Sequence, residues 1–505
     1  MRIHDDTLVV LGPPGTGKTT RLMREVETAI ESGIAPERIG YVAFTRKASR
    51  ESVSRAAERF GLERSKLPNF RTLHALCYRE LGLSDTDIVK DSHIREFGDM
   101  VGLSVAAKTD DNEGRIYFSE KQADFLLKLE QDSRIRRIPL RVLRNQIEAD
   151  VLVEELERTA AAYSNYKRER DLLDYTDMLE RFLDFPDCPQ FDLLLVDEGQ
   201  DLSPLQWEVV QKLARHSGRV VIAGDDDQAI YRWAGASVDD FIGLEGRVEV
   251  LGQSYRVPRQ VQRIADSIIS RVKHRHEKQW APREHEGSVR WASSDREIDL
   301  SEGEWLILAR NHYVLGELAD DLYASGVPFD RGGVSCVPAT LADAVSSWSA
   351  LSAGKEISYP DAINLYNYMR VGRGVARGEK KILAKYADME GTVDMAELRE
   401  RHGLTARGPW SAALDKIAEQ DRTFLLRSES MNEDTASPRI RLSSIHASKG
   451  GEADNVVLYS DLSYRTYKGL LSNPDDEARV FYVGATRARE SLTVVSPQTR
   501  FHFGI

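Results

Sequence analysis

Cysteine is scarce in this sequence: Cys77, Cys188 and Cys336 are the three among 505 residues, far apart and without CxxC or Cys/His spacing. Neither a disulfide framework nor a zinc site is expected. No apolar run approaches the roughly 18 residues needed to cross a bilayer, and no cationic segment leads into an apolar stretch and a small-residue cleavage site. The chain reads as soluble and cytoplasmic, with no membrane partner. Internal repeats with a period of about 20–50 residues are missing, as are low-complexity segments, which argues against solenoids and disordered arrays. Positive charge is in deficit: 69 Lys and Arg against 81 Asp and Glu leave a net charge of −12. That argues against a uniformly basic nucleic-acid coat, yet leaves room for a local basic channel.

What the sequence does carry begins at Gly12. The stretch Gly12, Pro13, Pro14, Gly15, Thr16, Gly17, Lys18, Thr19 satisfies G-x-x-x-x-G-K-[ST] at every fixed position. The apolar run 7–11 leads in as a buried strand would, and residues 20–26 lead out with helical spacing. In that context the glycines let backbone N–H groups close around a triphosphate at a helix N-terminus. Lys18 would neutralise the terminal phosphates, and the Thr19 hydroxyl would hold Mg2+. ATP and Mg2+ are the expected cofactors.

A second site follows the apolar run 193–196, which delivers Asp197 and Glu198 at the carboxyl end of a strand, where parallel sheets collect their ligands. Asp197 is placed to hold Mg2+ through water, and Glu198 to orient the attacking water or take its proton. Seen alone, an acidic turn of this kind reads as merely solvated; the phosphate loop upstream reverses the weighting. A third site follows 219–223: Gly224, three aspartates and Gln228, then Tyr231 and Trp233. A neutral glutamine can sense a γ-phosphate without adding charge, and the aromatics offer faces on which bases stack, worth roughly 1–3 kcal/mol each. Core packing is the other reading of that aromatic pair.

The length implies about three or four domains. Strand and helix alternate from the start, which means a parallel α/β sheet. Residues 80–164 are charged and helical without strand alternation, and the sheet pattern resumes near 191. A second α/β pattern begins near 250 with Val248, gives way to a helical stretch, and returns at 440–445, 455–459 and 492–495. The expectation is two α/β lobes, each with one helical insertion: 1–79 and 165–251 around 80–164, then 252–340 and 438–505 around 341–437.

In order, GPPGTGKT, AFTRKAS, RTLHAL, LDYTDML, VDEGQD, GDDDQAIYRWAGA, LGQSYR, SSIHASKGGEAD and FYVGATRAR resemble the motifs of the UvrD/Rep family of superfamily 1 DNA helicases, across residues 8–495. The resemblance implies that the two lobes are RecA-like. Position by position, it implies that Gln228 contacts the γ-phosphate, Tyr255 stacks on the base and Glu452 meets the ribose. Arg256 and Arg487 would be arginine fingers, both from the second lobe, clamping the phosphate when the lobes close. Phe44, Thr45, Arg46, Thr72, His74, Trp233 and His446 match positions along the single-strand path, with Tyr231 beside Trp233. Two basic segments fit nucleic acid independently of the motifs. Arg134, Arg136, Arg137, Arg141 and Arg144 read equally as DNA contacts or as a solvated face. The glycine-rich turn from Arg370 to Lys381 loosely resembles one that touches duplex phosphates in relatives.

The chain also departs from the family pattern. Eleven residues precede Gly12, so an upstream adenine-reading segment is not expected; Thr20, counted with the nucleotide site, stands where relatives carry an arginine. Gly451 and Ala453 replace the usual leucine and phenylalanine, the second insertion is short, and no C-terminal tail is expected after the last strand. The implied activity is ATP-driven translocation 3′ to 5′ on single-stranded DNA, with unwinding at single-strand/duplex junctions, by a monomer. The alternatives are a DNA-stimulated ATPase that remodels protein–DNA complexes with little unwinding, and an RNA helicase.

Overall fold

Six segments form one all-parallel sheet in the computed structural model: Thr7–Leu11 (β1), Ile39–Ala43 (β2), Phe70–Thr72 (β3), Phe191–Val196 (β4), Ser217–Gly224 (β5) and Arg247–Val250 (β6). Their order is β3-β2-β4-β5-β1-β6. The structure describes residues 1–505 apart from 106, 107, 111–114, 119–121 and 148. Every residue of β1 and β2 is buried, as strands covered on both faces must be. The two-residue period divides them: Leu8 and Val10 join Tyr41, Leu193 and Val221 on one face, while Val9 and Leu11 join Leu194, Val196 and Ile222 on the other. Helix Lys18–Glu31 (α1) closes the first face with Leu22, Met23, Val26 and Ala29, which share one side of a 3.6-residue helix. Helices Arg46–Phe60 (α2) and Leu73–Glu80 (α3) start just beyond β2 and β3.

Two compact units divide the chain: Met1–Glu286 with Asn473–Thr486, and Gly287–Ser472 with Arg487–Ile505. Two expectations change accordingly. The strand containing Val248 does not open a second lobe; as β6 it is the edge of the first sheet, paired with β1, and Arg21 of α1 holds its Glu249 by two bonds of 2.9 Å. Residues 252–286, read as second lobe, cluster with the first unit. There the helix Arg259–Ile269 (α4) buries Val261, Ala265, Ile268 and Ile269 and packs on the helix Pro474–Ala485 (α5), which returns from far along the chain.

The first insertion is built from helices Asp91–Val101, Gln122–Ile135, Leu140–Gln146 and Val153–Glu169, but it also holds an antiparallel hairpin of Lys108–Asp110 with Arg115–Tyr117. Strands of three residues are too short to leave an alternation pattern. The arginines here have partners within the first unit, several of them in exposed pairs. Arg137 binds Glu180 and Glu208, Arg141 binds Glu157, Arg144 donates to the Val151 carbonyl, and Arg136 donates to that of Arg232.

The second unit carries Ser288–Ala292 (β7), Trp305–Ala309 (β8), Phe329–Arg331 (β9), Val334–Ser335 (β10), Ile440–Ser444 (β11), Ala453–Tyr459 (β12) and Ala488–Val495 (β13). They form a sheet in the order β10-β9-β11-β8-β12-β13-β7, parallel except for β9 with β10. Its insertion keeps a separate core around Trp348, Tyr366, Leu398, Trp410 and Phe424. The chain is thus α/β with two parallel-sheet lobes, as expected. The cysteines are free, and among the described residues no helix is long and apolar enough to cross a membrane.

In the first unit, Arg134 and Lys167 serve four carboxylates. Arg134 lies 3.1 Å from Glu130, 3.3 Å from Asp174, 2.5 Å from Asp177 and 2.6 Å from Glu180, and Lys167 binds Asp174 and Asp177. Positive charge falls short, and burial pushes the Glu130 carboxyl up to about 7 despite Arg134. A carboxyl raised above its ordinary 4.5 in the fold stabilises the protein while protonated, and that contribution is lost as pH rises from about 4.5 through 7. Glu130→Gln imitates the protonated form. Its melting temperature should match the wild type near pH 5 and exceed it at pH 8; a difference that does not change with pH would show Glu130 ionised against Arg134.

Candidate nucleotide site and nucleic-acid groove

In the first sheet Leu11 lies level with Gly224 and Val250, Val196 with Ile222, Val42 with Val196, and Ala43 with Thr72. Because all six strands are parallel, their carboxyl ends form one edge. β1 runs into the phosphate loop, β4 into Asp197 and Glu198, β5 into Asp225–Gln228, β6 into Tyr255, β2 into Phe44–Arg46, and β3 into His74.

The loop after β1 is closed by its own atoms. Gly12 N–H donates to the Gly224 carbonyl at 3.0 Å, the Thr16 hydroxyl to Pro13 O at 2.8 Å, and the Lys18 ammonium to Gly12 O at 3.0 Å. Gly17, at φ +83°, caps the helix that begins at Lys18. The segment after β6 lies against this loop: the Ser254 hydroxyl donates to Pro14 O at 2.7 Å, and Tyr255 N–H to Gly15 O at 2.8 Å. Gly15 sits at φ +72°, and a Cβ there would fall 2.3 Å from that of Arg256. Arg256 therefore belongs to the same unit as the phosphate loop, a correction to its assignment to the second lobe. Tyr255 is 74% exposed and lines a pocket of about 380 Å³ with Thr16, Thr20, Arg21, Arg24 and Gln253. A flat ring beside the loop, open to solvent, is free to stack.

Asp197 is buried. Its Oδ2 accepts from the Tyr41 hydroxyl at 2.8 Å, and its Oδ1 from Glu198 N–H at 3.0 Å. Burial, then the neighbouring Glu198 charge, pushes the Asp197 carboxyl up to about 6. Glu198 has φ +54° and ψ 43°, a left-handed conformation that non-glycine residues hold at some energetic cost. Its carboxylate lies 4.0 Å from Lys18 and accepts from Gln200 Nε2 at 2.5 Å. Gln200 Oε1 in turn accepts from Asp225 N–H at 2.9 Å, and Asp225 Oδ2 accepts from Gln228 Nε2 at 2.7 Å.

A groove of about 700 Å³ opens beside β2 and β3, lined by Arg46, Arg71, Thr72, His74, Lys90 and Arg95 among others. Burial, then the neighbouring Arg79, lowers the pKa of Arg71, and Glu80 opposes them. Thr45 and Thr72 are helix N-caps, accepting from Ala48 and Ala75 N–H at 3.2 Å. Phe44 stacks on Tyr231 with ring centroids 5.4 Å apart, and Trp233 is 48% exposed.

Three expected residues lie in the second unit. His446 follows β11 and is half-buried. Glu452 precedes β12, its carboxylate 3.5 Å from Arg489. Arg487 precedes β13, is 1% exposed, and donates to Gly451 O at 3.2 Å.

Two protein-family models match: the UvrD/REP helicase N-terminal domain over residues 2–248, and the UvrD-like helicase C-terminal domain over 395–499. Together they take in well over half of the chain. The chain belongs to the UvrD/Rep helicase family. Similar curated proteins include DNA helicase II of Escherichia coli, 28% identical over 282 residues, 52% of this chain and 38% of that protein. DNA helicase II of Salmonella typhimurium is 28% identical over 283 residues, again 52% and 38%. ATP-dependent DNA helicase Rep of Buchnera aphidicola is 24% identical over 290 residues, 53% and 41%. The chain spans less than half the length of these relatives.

Within that family frame, the donor set fits Mg2+. Among the described residues no group of three or more His, Cys, Asp or Glu side chains could hold a metal by itself. A magnesium ion bound with a nucleotide needs only one or two carboxylates and a hydroxyl, the rest coming from phosphate and water. Asp197, crowded by Glu198, is a carboxylate that a cation would relieve. Pattern reading missed Gln200 and Asp225 as parts of the site, and Arg71, Lys90 and Arg95 as groove residues. Gln200, Asp225 and Arg71 lay inside recognised motifs; Lys90 and Arg95 carry no spacing signal.

The Gly15 geometry can be tested against Gly33, which has φ +90° and no atom near its Cβ position. Gly33→Ala should cost about 1–2 kcal/mol of stability from backbone conformation alone. Gly15→Ala should cost more in a denaturant titration and also weaken nucleotide binding, since Arg256 must move. Equal losses would mean that the 254–256 segment gives way freely.

Proposed function

We propose that the protein is an ATP-dependent helicase or translocase that moves 3′ to 5′ along single-stranded DNA and separates duplex ahead of it. The observation that carries this reading is the placement of a triphosphate loop and a basic groove on one edge of one sheet. β2, which ends in the groove residues, pairs directly with β4, which ends in Asp197 and Glu198. The strand that ends in Asp197 and Glu198 is thus one strand spacing, about 4.8 Å, from β2, which leads into Arg46. The names of the relatives, DNA helicase II and Rep, support DNA over RNA.

The phosphates lie in the loop Gly12–Thr19, on the backbone N–H groups of Gly15, Gly17, Lys18 and Thr19, with Lys18 as counter-charge and Thr20 beside them, while Tyr255 stacks on the base and Glu452 meets the ribose. The Thr19 hydroxyl and Asp197 would hold Mg2+, which when bound would neutralise charge on the phosphate oxygens. Glu198 orients the attacking water and accepts its proton, and Gln228 meets the γ-phosphate. Arg256 and Arg487 offset transition-state charge, an effect on the order of 10³–10⁵ in rate in related phosphate-loop enzymes. Phe44, Thr45, Arg46, Thr72, His74, Tyr231, Trp233 and His446 hold the single strand, joined by Arg71, Lys90 and Arg95 as phosphate contacts.

Two measurements test the reading. ATP hydrolysis should rise at least about tenfold with single-stranded DNA, and strand separation should require a 3′ tail; a tenfold rate change corresponds to about 1.4 kcal/mol of barrier. Unwinding from 5′ tails alone would reverse the polarity, and stimulation by RNA alone would move the substrate class. Glu198→Gln should retain nucleotide binding and lose hydrolysis by roughly 10²–10⁴; turnover at the wild-type rate would remove Glu198 from its role.

A further inference from the structure

The turn that carries Gln228 is held by charges from a segment that the proposed reaction leaves unused. Asp225, Asp226 and Asp227 are all buried. The ammonium of Lys278, with its side chain 1% exposed, lies 2.9 Å from Asp225 Oδ1, 2.5 Å from Asp226 Oδ1 and 3.0 Å from Asp227 Oδ2. Arg275 grips Asp227 through two bonds of 2.7 and 2.5 Å, and His276 N–H donates to Asp226 Oδ2 at 2.9 Å. Arg479 of α5 donates to the Asp226 and His274 carbonyls at 2.9 and 2.7 Å, tying both segments together.

Asp225 divides its two oxygens. Oδ1 faces Lys278; Oδ2 accepts from Gln228 Nε2. Burial alone would push the Asp225 carboxyl up, but Lys278 and then Lys18 hold it below the ordinary carboxylate range, so it is ionised and can only accept. An ionised Asp225 therefore dictates which end of the Gln228 amide turns toward it, and that end must be the nitrogen.

We propose that Lys278 is a positioning residue for Gln228: by balancing the charge on Asp225, it keeps the Gln228 amide nitrogen toward Asp225, the orientation in which that nitrogen can also donate to a terminal phosphate oxygen. This rests on the reading of Gln228 as the γ-phosphate contact. Replacing Lys278 by an apolar residue of similar length leaves three buried carboxylates short of one cation. One of them takes a proton, and the acceptor that orients Gln228 is weakened.

The test compares binding of ADP with that of a non-hydrolysable ATP analogue, for wild type, Lys278→Met, Gln228→Ala and the double variant. Lys278→Met should leave ADP affinity within about threefold and lower analogue affinity at least about tenfold; in the Gln228→Ala background the same change should add less than about twofold. Amide hydrogen exchange of residues 224–229 in nucleotide-free Lys278→Met should quicken relative to the rest of the sheet. Unchanged analogue affinity in Lys278→Met, or a full further loss in the Gln228→Ala background, would overturn the proposal. If Lys278→Met does not fold, the same comparison is made in an Asp226→Asn background, where one negative charge is already removed. Wild-type protein that binds the analogue but fails to hydrolyse ATP with DNA would sink the helicase reading, while the binding cycle would still decide the role of Lys278.

Discussion

The register of the first parallel sheet is the constraint on which the rest of this site depends. Parallel strands must all finish at the same edge, and right-handed crossovers return each chain segment to the opposite one, so whatever follows a strand is delivered to a common line. Here six strands deliver six segments: those after β1, β4, β5 and β6 meet around the phosphate loop, and those after β2 and β3 meet in the basic groove. No side-chain bond is needed to bring the two regions near each other. The ladder between β2 and β4 does it, and these strands are buried in the core, so the distance between the regions resists deformation.

Along that edge, charge is arranged so that no carboxylate stands far from a counterpart. Lys18 lies near Glu198, Lys278 and Arg275 serve the three aspartates, and Gln200 bridges Glu198 to Asp225 as a neutral link. Asp197 is the exception. Burial, then the neighbouring Glu198 charge, makes its carboxyl bind a proton more tightly than an exposed aspartate, and the bonds it accepts from the Tyr41 hydroxyl and Glu198 N–H only partly offset this. A buried network of this kind gives each amide one favoured orientation.

Much of this was legible in the sequence, for identifiable reasons. The phosphate loop, Asp197–Glu198 and Gln228 each occupy a few consecutive residues after an apolar run, so local pattern was enough to find them. Arg256 was found too, but its unit was not, because that depends on the bonds from Ser254 and Tyr255 to a loop some 240 residues earlier. The arginines near 134–144 show how far spacing reaches: it tells which residues share a helix face, whereas their partners Glu157, Glu180 and Glu208 come from elsewhere in the chain. Lys278 lies in a charged stretch, 273–278, that reads as surface loop, and nothing local marks its ammonium as buried.

The path of the backbone has a consequence for how the protein is made. Helix α5 completes the first unit by covering the apolar face of α4, and residues Glu477–Ala485 are buried there throughout, yet 186 residues of the second unit are synthesised between Glu286 and Asn473. At roughly 5–20 residues per second, that interval lasts on the order of 10–40 s. During it the phosphate loop and its sheet can already be paired while α4 still exposes Val261, Ala265 and Ile268. The nascent first unit therefore carries one open apolar stripe until the last part of the second unit is about to emerge.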